Sequence, residues 1–234
     1  MKKALVVLMG AVFALSLCCC SSSPAMPDEE GSNPPVKPLE IIEHDWWISE
    51  DGRLSYVARI RNPNESLACL SPCLHILVQH YDWNKPQDNL DVPLVVEPQH
   101  VVVLTGSWYS DGHGVASVDF VLDDSDTWEE IAPFSEDIYT VSNIKIHEML
   151  FDAEVSGELL CADTAPVEGV GAVRIAVIFR DSGGKIVGVA TTCVDSPPTG
   201  EPVTFEAPLK VRGSSGDEPY TYEAYAMPGP PLNA

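Results

Sequence analysis

Positive charge is what this chain has least of: 13 lysines and arginines stand against 35 aspartates and glutamates in 234 residues, a formal net charge of −22 at pH 7. A surface of that sign repels phosphates. Nucleic acid is therefore not an expected partner, and any hold on an anionic membrane has to come from acyl chains rather than a basic patch. Catalytic signatures are also missing. The chain has no GxSxG elbow, no HExxH pair and no Gly-rich phosphate loop. His44, His75, His80, His100, His113 and His147 are scattered without compact ligand spacing. His75 and His80 fall on opposite sides of a strand by parity, so they do not share an ion. No apolar run beyond the first residues approaches membrane-spanning length, and no dozen-residue segment carries a helical stripe. No cofactor and no catalytic residue is expected.

The start of the chain, MKKALVVLMGAVFALSLCCCSSS, carries a different kind of information. Lys2 and Lys3 give a cationic opening, Ala4 to Leu17 is apolar but short for a bilayer span, and three cysteines then meet a serine cluster. This is the pattern of an export signal. It resembles the signal peptide of a bacterial lipoprotein, cleaved before a cysteine that becomes lipidated and holds the mature chain on the extracytoplasmic face of the cell membrane. Cys20, with Leu17 three places before it, is the expected lipidation site, and Cys18 is the alternative. Residues 21–38, rich in Ser, Pro, Gly and acid, read as a disordered tether with a reach of roughly 25 to 55 Å. Residues 228–234 read as a disordered tail.

The body between them alternates apolar and polar side chains. Leu54, Tyr56, Ala58 and Ile60 share one side of a strand while Ser55, Arg59 and Arg61 share the other, and Val173, Ile175, Val177 and Phe179 repeat the pattern. Turn formers such as Asn62-Pro63-Asn64 and Asp181-Ser182-Gly183-Gly184 separate these runs. Short helical turns around 127–131 or 146–150 are the only departure the pattern allows. The order of elements repeats, giving an all-β reading with two tandem antiparallel sandwiches, at 39–122 and 138–227. An acidic linker, 123–137, separates them.

Four cysteines fall in the body, and an even number in an exported chain suggests disulfides. Three pairings can be written. The one that keeps each bridge within one half joins Cys69 to Cys73 and Cys161 to Cys193, the latter closing a loop worth roughly 3 to 4 kcal/mol in the chain-entropy model.

The second half resembles the FxLYD-type immunoglobulin-like domain of bacterial envelope lipoproteins. Phe179 and Asp181 end a strand, Gly184-Lys185 makes a hairpin, and Gly200-Glu201 precedes a strand containing Phe205. The first half keeps Tyr81-Asp82 and the Arg61-Asn62 strand end but not the glycine turns. The resemblance implies immunoglobulin-like sandwiches at the cell surface, with no attributed chemistry.

Three groups of residues are candidate sites. Asp123, Asp124 and Asp126, with Glu129 and Glu130, offer hard oxygen ligands for calcium, against a plainer reading as a solvated linker. Sandwich cores take a large aromatic, so one of Trp46 and Trp47 fills the core while its neighbour faces out. Trp47, Trp108 and Tyr109 form the expected contact surface for a protein or glycan. The function expected is non-catalytic: a cell-envelope lipoprotein that presents β-sandwich domains for binding or structure. The alternative is an envelope enzyme, or a metal or solute carrier, with an acidic or histidine site.

Overall fold

A chain with period-two alternation and no helical stripe can bury its apolar half only by pairing strands into pleated sheets. The computed structural model is antiparallel β, with no helix among the described residues: 35–49, 52–70, 72–81, 87–88, 96–109, 114–123, 128–131, 138–148, 153–162, 172–195, 197–212 and 221–229. The strands are β1 (Glu40–Ile48), β2 (Arg53–Arg61), β3 (Leu67–Cys69), β4 (Cys73–His80), β5 (Gln87–Asp88), β6 (Val101–Tyr109) and β7 (Val115–Asp123). They continue with β8 (Trp128–Glu130), β9 (Tyr139–Glu148), β10 (Ala153–Cys161), β11 (Ala172–Arg180), β12 (Ile186–Asp195), β13 (Pro202–Val211) and β14 (Thr221–Gly229). Where the pattern allowed short helical turns, residues 128–130 and 139–148 are strands, and 149–150 lie outside the described residues.

Strands of the first half form the sheets β1-β2-β6 and β5-β4-β7, with β3 paired to β8. The second half forms a single sheet, β14-β11-β12-β13-β10-β9. It is joined at its middle by only three residue pairs, Gly188 to Ala190 of β12 against Leu209 to Val211 of β13. That short join lets the sheet curl, and its two edge strands, β14 and β9, come into contact. Enclosed by the curl is a core of Val155, Leu159, Cys161, Val173, Ile175, Val177, Phe179, Phe205 and Ala207, among others.

The β11–β12 hairpin shows how local chemistry sets this register. Asp181 accepts hydrogen bonds on Oδ1 from the backbone N–H groups of Gly183 (2.8 Å) and Lys185 (2.9 Å), an Asx-type turn that reverses the chain.

The strand faces are sorted by partner. On β2 the even residues Leu54, Tyr56, Ala58 and Ile60 pack with Leu74, Ile76 and Val78 of β4. In register with them on β1, His44 lies 4.7 Å from the Phe120 ring, centroid to centroid. The odd face was expected to be polar and solvated, yet Ser55 and Val57 are fully buried. Their cover comes from the second half: Ala176 and Ile178 of β11, Ile186 and Val189 of β12 and Met227 of β14 belong to the same apolar cluster as Val57 and Val103. Each such side chain taken from water contributes about 1.5 to 3 kcal/mol. The described residues from Val36 onward belong to one compact unit. β2 and β11 are the strands buried on both faces, and the two sheets come together where β6 meets β11 and β14.

None of the four body cysteines is bridged. The expected Cys161–Cys193 and Cys69–Cys73 pairs are not confirmed, and the strand faces stand against the first. Cys161 points into the core enclosed by the curled sheet. Cys193 lies two residues beyond Thr191, whose side chain faces the first half, so the two thiols stand on opposite faces with β13 between their strands. Cys69 is fully buried, whereas Cys73 is part-exposed.

Gly106 of β6 lies opposite Tyr56 of β2 and is covered by its ring; a Cβ there would stand 2.5 Å from the ring Cε1. Tyr56 is locked in the core and cannot withdraw. Gly106→Ala is therefore expected to cost about 1 to 3 kcal/mol as overpacking. Urea unfolding checks this, and an unchanged midpoint would refute the register of β2 against β6.

Candidate functional site: two buried acids and the charged seam

The face of β1 that meets the second half carries Glu43, Asp45 and Trp47, because these pair in register with Arg59, Val57 and Ser55 on the buried face of β2. The seam is apolar at its centre and charged at its ends. At one end Arg180 of β11 forks onto Glu43, with Nη1 donating to Oε1 and Nη2 to Oε2, each at 2.7 Å. Arg59 donates to the same carboxylate at 2.9 Å. Arg180 also donates from Nε to Glu223 of β14 at 2.6 Å, and Arg59 lies 3.5 Å from that second carboxylate. Tyr225 donates its hydroxyl to Glu223, and the Arg59 guanidinium sits 5.4 Å from the Tyr225 ring centroid. Two cations and two anions thus alternate around a ring that crosses the seam twice.

The pairing sets the titration. The hydrogen bond from Arg180, helped by Arg59 and outweighing burial, holds the Glu43 carboxyl down at about 2. Its two carboxylate partners hold the Arg180 guanidinium charged above its ordinary range. Burial alone would raise Glu223, but the bonds from Tyr225 and Arg180 and the charge of Arg59 bring it down. Tyr225 is pushed up to about 12 by burial and by Glu223.

At the other end of the seam, Arg212 pairs with Asp45 and donates to the Trp46 carbonyl at 3.1 Å. Its guanidinium lies 5.3 Å from the Trp47 ring centroid, and Trp47 Nε1 donates to the Val211 carbonyl at 3.0 Å. Trp47 is 4% exposed. It is a seam residue, which corrects its assignment to a contact surface: the face that parity pointed outward is covered by β13 and its end.

A second, half-buried acid has no such partners among the described residues. Val96 exchanges both backbone hydrogen bonds with Cys69, and the Asn62 amide donates to the Val96 carbonyl at 2.9 Å. The chain then turns through Glu97, Pro98, Gln99 and His100, closed by the His100 N–H on the Glu97 carbonyl at 3.3 Å. Gln99 takes a left-handed φ of 61°, held there by its side chain donating to the carbonyls of Pro63 and Asn64, each at 3.0 Å. Glu97 Oε2 lies 3.4 Å from His100 Nδ1. Burial raises the Glu97 carboxyl to about 7. Tyr139 of β9 goes up to about 12 through burial, then Cys161 and then Glu97, and burial raises the Cys161 thiol too. Sequence reasoning named His100 and Cys161 in other roles and missed Glu97 and Tyr139. An acid directly after the Val95-Val96 pair, before a proline, was the faint signal available.

Other expected residues lie apart from both clusters. Asp123 is exposed at the end of β7, opposite Cys73, while Asp124 and Asp126 lie outside the described residues. Among the described residues, no group of three or more His, Cys, Asp or Glu is placed to hold a metal ion. Trp108 and Tyr109 end β6, and their side chains lie outside the described set. Cys18 and Cys20 lie outside it as well. His75 and His80 occupy opposite faces of β4, one part-exposed and one buried, as parity requires. No family model, curated protein or solved structure matches the chain.

Removing the Glu43 charge should open the ring. Glu43→Gln is expected to cost about 1 to 3 kcal/mol near neutrality, since it leaves two guanidinium groups under-compensated at a partly buried site. Because the folded-state value lies below the ordinary one of 4.5, this contribution is complete above pH 4.5 and fades as pH falls through about 2. Urea midpoints of wild type and variant should therefore converge on acidification; a gap that persisted at the acid end would contradict the assignment.

Proposed function

We propose that this protein is a non-catalytic lipoprotein of the bacterial cell envelope, which presents immunoglobulin-like β-sandwiches for binding a surface protein or glycan or for a structural role. The observation that carries the reading is the order of segments: cationic start, short apolar run, three cysteines, then an acidic Pro/Ser/Gly stretch before the first strand. Acyl chains on Cys20, or on Cys18, localise the chain at the membrane, and residues 21–38 set its reach.

The body suits display. Three of the six arginines, Arg59, Arg180 and Arg212, are spent on the seam, where they brace one sheet against the other. The end of β6, with Trp108 and Tyr109, is the contact surface in this reading, and Trp47 is no longer part of it. The tandem division at 39–122 and 138–227, with its acidic linker, is kept as the unit of presentation, the two parts braced by the seam.

The envelope enzyme or carrier draws on one observation, the gathering of Glu97, His100, Tyr139 and Cys161. Those groups gather at one turn, whereas the order of segments runs through the whole chain, so display is preferred.

Metabolic labelling with a fatty acid in a bacterial host tests the anchor. Cys20→Ala should lose the label and leave the membrane fraction, while Cys18→Ala keeps both. The reverse pattern would move the anchor to Cys18, and label-free, soluble wild-type protein would defeat the lipoprotein reading.

A further inference from the structure

We propose that the turn from Glu97 to His100 is a proton-operated latch: a proton on the Glu97 carboxyl, packed beside the His100 imidazole, keeps the turn seated, and its loss lets the turn open. Glu97 is 14% exposed, and among the described residues its only ion-pair partner is His100. His100 Nδ1 is shut off from solvent and makes no hydrogen bond. Glu97 Oε2 and His100 Nδ1 stand 3.4 Å apart, within ion-pair reach but longer than a normal hydrogen bond, so the turn brings the two groups side by side without a formed bond.

Among the described residues, the surrounding elements bring no lysine or arginine to the carboxylate. β3 supplies the Cys69 backbone and the 62–64 turn supplies the neutral amides of Asn62 and Asn64. Lys37 engages Asn64 through its backbone N–H and C=O. β9 supplies the Tyr139 phenol, and β10 the Cys161 thiol paired opposite it. With the proton gone, an uncompensated negative charge is buried in a chain whose net charge is already −22. The strain falls on a turn that already holds Gln99 in a left-handed conformation.

Burial supports the sign of the effect. The folded state binds the Glu97 proton more tightly than the unfolded state does, so the fold loses stability as pH rises from about 4.5 to about 7 and regains it on acidification. This is opposite to Glu43, whose contribution is lost only in acid. The seam therefore stays closed across the range in which the latch opens.

The test uses the folded body at about pH 5.5 and about pH 8.5, comparing wild type with Glu97→Gln, an uncharged mimic of the protonated acid. Thermal melting should fall with rising pH in wild type and less in the variant. Amide exchange at Gln99 and His100, whose N–H groups close the turn, should accelerate at least about threefold more in wild type than in Glu97→Gln over that interval. Equal pH dependence in the two proteins would overturn the proposal. Should the variant fail to fold, direct carbon-13 NMR titration of the Glu97 carboxyl in wild type decides: a midpoint near 7 sustains the latch, and one near 4.5 ends it.

Discussion

Two strands buried on both faces hold this protein together. A sheet with one wet face can tolerate alternation, but β2 and β11 each offer a second face that must be covered, and the opposite sheet covers it. Val57 and Val103 meet Ala176, Ile178 and Val189 without intervening polar groups, apart from Ser55 and a Thr105–Thr191 hydroxyl pair. The charged rings at the seam's ends then fix its alignment. Bringing Glu43 and Arg180 partly out of water costs desolvation, so the pair is better understood as selecting one docking than as the main source of its stability. The apolar centre supplies affinity and the rim supplies specificity, the same division found between separate proteins.

Glu43 and Glu97 show how neighbours decide the fate of one residue type. Both sit mostly out of solvent in an acid-rich chain. Glu43 faces a bidentate guanidinium and a second arginine, and its charge is held far into acid. Glu97 faces an imidazole, neutral amides, a phenol and a thiol, and burial governs it instead. Scarcity sharpens the contrast: cations are few, three arginines are committed to the seam, and among the described residues no lysine or arginine pairs with Glu97.

What the sequence disclosed, it disclosed through local rules. The inward set Leu54, Tyr56, Ala58 and Ile60, the inward set Val173 to Phe179, and the Asp181 turn all depend on neighbours within a few residues, and the structure has them where alternation and turn chemistry put them. The remainder needed distant partners. Nothing near Ser55 or Arg59 announces that a strand 120 residues later will cover them, so a face that looked solvated is the seam. Trp47 was assigned outward for the same reason, since parity separates it from Trp46 without saying that both sides of β1 are occupied. The cysteine pairing is not confirmed: counting thiols says nothing about faces, and Cys161 and Cys193 point away from each other. Strand propensity won over weak helical spacing at 128–130 and 139–148 because those segments had partners to pair with.

A body braced in this way behaves mechanically as one piece. Differential scanning calorimetry is the most direct test of the seam. The account predicts a single cooperative transition, with calorimetric and van't Hoff enthalpies in agreement, for everything from Val36 onward. Two separable transitions, with the first-half strands melting independently of β11 and β14, would contradict it.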